Sequence, residues 1–393
     1  MPLAIDQIQA ALAEDRLDGW LLYDFHGSNA IAQRLAGLEG RHTTRRWYYF
    51  IPAKGQPRKL VHAIESGVLD ALPGDRRTYA GRLELETGLE ALLNGARQIA
   101  MEYSPKCAIP YVSRVDAGTI EVVRGLGLSV VSSGDLVGRF EAAWDEAAIT
   151  THRGASEALY RIKDNTFAYI GERLTSGQAV RELEVQARML QWFSNEQLVT
   201  DAPPIVAVEE HSGDPHYSPD ERTSRLIEPG NVVLLDLWGK FEQPDAVYAD
   251  ITWTGVVGAP TAEVERVFQV VASGRDAALE RVQRAVTAGE PVRGWEVDRA
   301  ARDVISRAGY GDRFVHRTGH SLGVNVHGNG VHMDDFETHD DRRLLVGTGF
   351  TIEPGVYLDN FGIRSEINVV VGRRSAEATG PLQQALVRID VRR

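Results

Sequence analysis

The chain has 393 residues, 43% hydrophobic and 25% charged, with a formal net charge of −12. That length exceeds what one hydrophobic core usually serves, so two domains are expected in an otherwise ordinary globular composition. The acidic balance argues against a nucleic-acid partner, whose binding rests on clustered Lys and Arg, and no run approaches the roughly 18 apolar residues of a membrane span.

Residues 3 to 15 place Leu3, Ile5, Ile8 and Leu12 at helical spacing, which predicts an amphipathic surface helix. The same stretch carries acids where a secretory signal needs a basic start and an unbroken apolar run, so a cytoplasmic protein is expected. Strands are predicted at Leu17 to Tyr23, Arg46 to Pro52 and Lys59 to Ala63, a helix over Leu83 to Leu93, and a short strand at Gln98 to Glu102. Ile120 to Val131 reads as a helix end, a glycine turn and a strand. Alternating strands and helices make this part an α/β domain, taken as residues 1–139. Within it, His26, Arg41, His42, Arg45 and Arg46 read as a polar loop and strand edge; the sharper reading has this loop helping to bind substrate in a neighbouring active site. The single cysteine, Cys107, cannot close an internal disulfide, which fits a reducing compartment.

From residue 140 the character changes. Trp144 to Arg173 is Ala-rich and helical, and further helices are predicted over Val180 to Trp192, Val264 to Val286 and Val297 to Ala308. Between them run apolar strands: Asn231 to Leu237 and Val247 to Thr254, read as a hairpin; Phe350 to Tyr357, broken at Pro354-Gly355, where the glycine is expected to supply a positive φ; and Gly362 to Val371, with Arg364, Glu366 and Asn368 on one face.

Four of these strands contain an acid: Asp236, Asp250, Glu353 and Glu366. An acid in an apolar strand is costly unless it is paired or holds a cation, and any one alone would read as a structural salt bridge. Three histidines, His316, His320 and His327, stand close together among small and apolar residues. Four carboxylates and an imidazole are mostly hard donors. They match two nearby divalent ions of the manganese, cobalt or iron type better than a thiolate-rich zinc site. Paired ions activate water at neutral pH and stabilise a developing oxyanion, which suits hydrolysis of amides or phosphates.

The segments Leu234-Leu235-Asp236, Tyr248-Ala249-Asp250-Ile251-Thr252-Trp253-Thr254, Gly319-His320-Ser321-Leu322-Gly323, Thr351-Ile352-Glu353-Pro354-Gly355 and Ile363-Arg364-Ser365-Glu366 together resemble the pita-bread metallopeptidases, the family of methionine aminopeptidase, Xaa-Pro aminopeptidase and Xaa-Pro dipeptidase (prolidase). The stretches Leu17 to Asp24, Thr44-Arg45-Arg46 and Val61-His62 resemble the creatinase-type N-terminal domain of the proline-specific branch. The resemblance implies an α+β protein, with that smaller α/β domain before a pita-bread catalytic domain at residues 140–393. It also implies a homodimer.

The implied ligands are Asp236, Asp250, His320, Glu353 and Glu366, holding two divalent ions: manganese first, with cobalt, zinc or iron as alternatives. Glu353 would double as acid/base, and His327 would stabilise the oxyanion. His216 would touch the reacting amide, and His316 would position the proline. Arg364 would orient Glu366 or the substrate carboxylate. The implied activity is hydrolysis of the Xaa-Pro bond in a small peptide with proline second, as a dipeptidase. The alternatives are an Xaa-Pro aminopeptidase on longer peptides and, more distantly, a binding protein on an inactive peptidase fold. Two features depart from the family pattern. The aspartates are 250 − 236 = 14 positions apart where about eleven is usual, which leaves Asp245 in the loop as a rival ligand; and Trp253 stands where arginine is common, on a pocket wall or a dimer contact.

Overall fold

The computed structural model describes residues 3–391. The chain divides into two compact units, Met1–Ala142 and Ala143–Arg393.

The first unit runs α1 (Ile5–Glu14), β1 (Gly19–Asp24), α2 (Ala30–Leu35), β2 (Trp47–Pro52), β3 (Arg58–His62), β4 (Asp75–Tyr79), α3 (Arg82–Leu93), β5 (Gln98–Met101), α4 (Ala117–Gly125), β6 (Ser129–Ser132) and α5 (Gly134–Phe140). Its sheet has the order β4-β3-β2-β1-β5-β6. Only β2 runs against the other strands. Alternation along β1 explains the two layers. Trp20 and Leu22 pack with α1, α2 and α5, whereas Leu21 and Tyr23 pack with α3 and α4.

The second unit opens with α6 (Glu146–Thr175), whose N-cap Asp145 accepts from the Ala148 N–H at 2.8 Å, and α7 (Glu182–Asn195). Then come β7 (Leu198–Val199), β8 (Ile205–Val208), β9 (Val232–Phe241) and β10 (Ala249–Val257). Next are α8 (Ala262–Ala288), closed by Gly289 in the left-handed region, and α9 (Gly294–Arg307). Short strands finish the chain: β11 (Ser321–Leu322), β12 (Gly349–Ile352), β13 (Gly355–Tyr357), β14 (Gly362–Arg364), β15 (Ile367–Val371), β16 (Ala376–Ala378) and β17 (Val387–Ile389). One sheet has the order β17-β10-β9-β7 with β8 also on β9, and a second has the order β11-β12-β15-β16. Helices α6 and α7 cover the first sheet through Leu159, Ile162, Val185 and Met189. Helices α8 and α9 cover the second through Val282, Val297 and Ala301. Among the described residues, no helix is long and apolar enough to cross a membrane.

Candidate metal centre

The predicted hairpin is β9–β10. Thr252 lies opposite Asp236 and Asp250 opposite Trp238, so the two aspartates are diagonal neighbours on one face. The long spacing between them is taken up by extra strand and a turn. Asp245 sits in that turn, exposed, with φ of 60°, while Asp250 is buried in the strand. Trp253 points the other way, towards α6, with the Lys163 ammonium 3.8 Å from its ring centre. It therefore belongs to the core behind the hairpin and not to the wall beside the aspartates.

The remaining acids come from the second sheet. Asn368 clamps β10 to β15, accepting from the Asp250 N–H at 2.9 Å and donating to the Asp250 carbonyl at 2.8 Å. The Glu366 N–H donates to the Thr252 carbonyl at 3.1 Å, and the Thr252 hydroxyl donates to Glu366 Oε2 at 2.7 Å. Arg364, Glu366 and Asn368 thus all face the hairpin, while Ile363, Ile367 and Val369 enter hydrophobic clusters. Glu353 follows β12, its N–H on the Thr318 carbonyl at 2.7 Å and its Oε1 accepting from the Thr351 hydroxyl at 3.0 Å. The His320 N–H donates to that same hydroxyl at 2.9 Å. Gly319 is what lets these segments meet: a Cβ there would lie 2.0 Å from the Thr351 carbonyl oxygen.

The glycine of the Pro354-Gly355 turn has a different reason from the one expected. Its φ is not positive. A Cβ at Gly355 would instead lie 2.5 Å from the Tyr357 hydroxyl. Close approach, not backbone handedness, demands glycine here.

His320 Nδ1 lies 3.2 Å from the Ser321 carbonyl. That bond holds the proton on Nδ1 and leaves the Nε2 lone pair for the cluster. Nε2 is 3.5 Å from Asp250 Oδ2 and 3.4 Å from Glu353 Oε1. Ligand atoms of Asp250, His320 and Glu366 lie within 4.8 Å of one another. Asp236, Asp250, His320 and Glu366 are 9%, 6%, 4% and 2% exposed.

Asp236 Oδ1, Asp250 Oδ1 and Glu366 Oε1 are buried and have no hydrogen-bond partner among the described residues. Such oxygens are unfavourable unless a cation takes them. Burial, then repulsion from Asp236 and Glu353, pushes Asp250 well above the usual carboxylate range. Burial, then Asp250 and Glu353, does the same to Glu366. Asp236 is raised by burial with Arg364 opposing. Glu353 is held low: burial works against this, but His320, His316 and Arg364 outweigh it. The donor set therefore fits divalent cations, which would neutralise the cluster and fill its open valences.

Arg364 turns to Asp236 rather than to Glu366. Its Nη2 donates to Asp236 Oδ2, its Nη1 to the Tyr357 hydroxyl at 3.0 Å and the Pro215 carbonyl at 3.3 Å, and its Nε to the Thr252 hydroxyl at 3.0 Å. Only through Thr252 does it reach Glu366. His316 is half-buried, with Nε2 2.7 Å from the Tyr357 hydroxyl and Nδ1 2.7 Å from the Arg317 carbonyl. His327 is exposed and meets the His320 ring edge-on, 4.3 Å between centres. His216 is also exposed; its neighbour Pro215 ties that loop to Arg364. Tyr357, Thr252 and Asn368 went unremarked as site residues in the sequence. The alternation Asp250, Thr252, Thr254 down β10 was the available signal for Thr252.

Residues 145–373 match metallopeptidase family M24. The chain belongs to that family. A probable dipeptidase PepE of Mycobacterium tuberculosis is 30% identical over 353 residues, covering 87% of this chain and 85% of the relative. An Xaa-Pro dipeptidase of Pyrococcus furiosus is 30% identical over 235 residues, 59% of this chain and 62% of the relative. The crystal structure of dipeptidase PepE from Mycobacterium ulcerans superposes with a TM-score of 0.73 at 23% identity, over 98% of this chain and 97% of that one. This M24 chain is a metallopeptidase with the pita-bread fold, and its substrates are peptides.

Proposed function

We propose that this M24 peptidase hydrolyses the Xaa-Pro bond of dipeptides, using two divalent ions held by Asp236, Asp250, His320, Glu353 and Glu366. The observation that carries the reading is the set of three partnerless buried carboxylate oxygens beside the His320 lone pair. With Glu353 the four carboxylates exceed the single charge of Arg364 by three, more than one divalent ion offsets, which is the argument for two. The ions, manganese foremost, supply an activated water and a Lewis acid at neutral pH.

The protein's own groups do the rest. Glu353 takes the proton of the attacking water and returns it to the departing proline nitrogen. The position of Glu353, below the usual carboxylate range and beside His320, suits a group that must begin as a base. His327 donates to the developing oxyanion. His316 offers its ring face to the proline, since both its nitrogens are engaged. His216 closes on the amide from the loop that Arg364 ties down. Arg364 is a positioning residue: it holds Asp236 in the orientation a ligand needs.

Initial rates on Xaa-Pro, Xaa-Pro-Yaa and Xaa-Ala peptides, with metal analysis of the same sample, test the proposal. The expected result is two divalent ions per chain and the highest kcat/KM on Xaa-Pro. Higher kcat/KM on Xaa-Ala would end the proline reading, and higher kcat/KM on the tripeptide would convert it to an aminopeptidase. We infer further that the working form is a homodimer in the cytoplasm, which sedimentation velocity and fractionation check.

A further inference from the structure

The first unit contains a cavity of about 700 Å³ that no step above uses. It lies at the carboxyl ends of β1, β3 and β4, where Tyr23, His62 and Tyr79 stand, with Tyr48 from β2 beside them. Strand order reverses at β1: β2, β3 and β4 lie to one side, β5 and β6 to the other. Such a switch point leaves a crevice where open α/β sheets bind ligands. Here the crevice is walled by Leu85 and Leu89 of α3 and Thr119 and Val122 of α4.

The charges are unequal. Of the two acids lining it, Glu86 is paired with Arg82 at 2.6 Å and Asp116 caps α4 through Thr119. Arg46 remains as surplus positive charge, with Arg45 beside it held at Nη1 by Thr44 and near Glu65. Arg46 is exposed at the cavity, beside the Tyr79 hydroxyl, and makes no ion pair with an acid among the described residues. The hydroxyls below differ in the same way. Tyr79 donates to the Arg46 carbonyl at 2.8 Å and Tyr23 meets Thr119 and Asp116. Tyr48 is 1% exposed, lines the cavity, and has no hydrogen-bond partner among the described residues. A phenol hydroxyl that opens onto a cavity without a protein partner can donate to an acceptor bound there. At the mouth, Phe25 and Val122 are large apolar side chains left 43% and 46% exposed.

We propose that this cavity is a binding site for a small organic anion, a carboxylate or phosphate monoester with a compact apolar or aromatic body. Arg46 and Arg45 take the anionic group, because guanidinium forks match both oxyanions. Tyr48 donates to one of its oxygens. Leu85, Leu89, Val122 and Phe25 cover the body. A neutral analogue loses the charge-assisted bonds, and a small inorganic anion loses the apolar contact.

The test is calorimetric titration of the full-length protein with 3-phenylpropanoate, phenyl phosphate and the neutral 3-phenylpropanamide. Saturable binding of at least one anion is expected with Kd below about 1 mM, and about tenfold weaker binding of the amide. Which anion binds more tightly tells carboxylate from phosphate. Arg46→Gln and the mouth-filling Val122→Trp, both at exposed positions, should each weaken the anion about tenfold or more. Tyr48→Phe should weaken it less. Glu366→Gln, in the other unit, should leave it unchanged. No saturable binding of either anion overturns the proposal. So does affinity indifferent to both Arg46→Gln and Val122→Trp, or binding that disappears in Glu366→Gln.

Discussion

Arg364 donates from Nη2 to Asp236 Oδ2 while its Nη1 holds the Tyr357 hydroxyl at 3.0 Å, so one guanidinium braces a carboxylate of the candidate centre against a phenol that His316 also touches. Lysine's compact ammonium lacks the planar fork that spans these two acceptors. Arg364→Lys should therefore fold but bind divalent metal about 10- to 100-fold more weakly. Metal titration checks this; wild-type affinity would show that Arg364 does not position Asp236.

Asp250→Asn and Glu366→Gln should separate stability from activity. Both acids are pushed well above the usual carboxylate range, by burial first and by neighbouring carboxylates second. A neutral side chain of the same shape relieves that repulsion. In metal-free protein each substitution should raise stability, by on the order of 1 kcal/mol or more. With metal present each should abolish peptidase activity. Denaturant unfolding in a chelator, compared with assays in added metal, provides the two readings. A fall in metal-free stability would contradict the repulsion argument.

Gly355→Ala should disturb the site more than the fold. The added Cβ would lie 2.5 Å from the Tyr357 hydroxyl, which links His316 to Arg364. Overpacking of this kind costs about 1–3 kcal/mol. The loss of kcat should exceed that of Tyr357→Phe, because the displaced ring also strains the turn after Glu353. Equal rates in Gly355→Ala and the wild type would disprove the steric account.

His152 gives the fold a defined pH response. It is fully buried, with Nδ1 2.8 Å from the Tyr248 carbonyl and Nε2 2.8 Å from the Thr379 hydroxyl. Burial lowers its pKa from 6.5 to about 4. The unfolded chain takes the proton first as pH falls, so the stability from this group is present above pH 6.5. It drains away between pH 6.5 and about 4. The loss amounts to about 3 kcal/mol at most. His152→Gln should be less stable at pH 7 yet lose less between pH 7 and 5. Identical pH slopes for the two proteins would exclude His152 as the source.

Much of this was legible before any coordinates. Apolar runs interrupted by one acid marked β9, β10, β12 and the β14–β15 segment, because isolated charge in such a run needs a partner. The long helices were legible from their apolar periodicity and from stop signals such as Gly309. Strand β4, Asp75–Tyr79, was not: four of its five residues are exposed, so it carries no alternating pattern, and it is held by pairing to β3 and by the buried Tyr79. Nor was the partner of Arg364. Period-two alternation placed it on the face of Glu366 but could not say that Asp236, on another strand, lies nearer to its guanidinium.

The sequence by itself determined which side chains are too costly to bury unpaired, and so which were expected to converge; of these Asp236, Asp250, His320 and Glu366 are buried and Glu353 is half-buried. Only the tertiary structure decided which oxygens stay open, because that depends on the register of Thr252 opposite Asp236 and on the clamp of Asn368 across Asp250. Burial cost is a property of a residue in its own segment. Hydrogen-bond satisfaction is a property of pairs far apart in the chain, and it exists only once the two sheets have met.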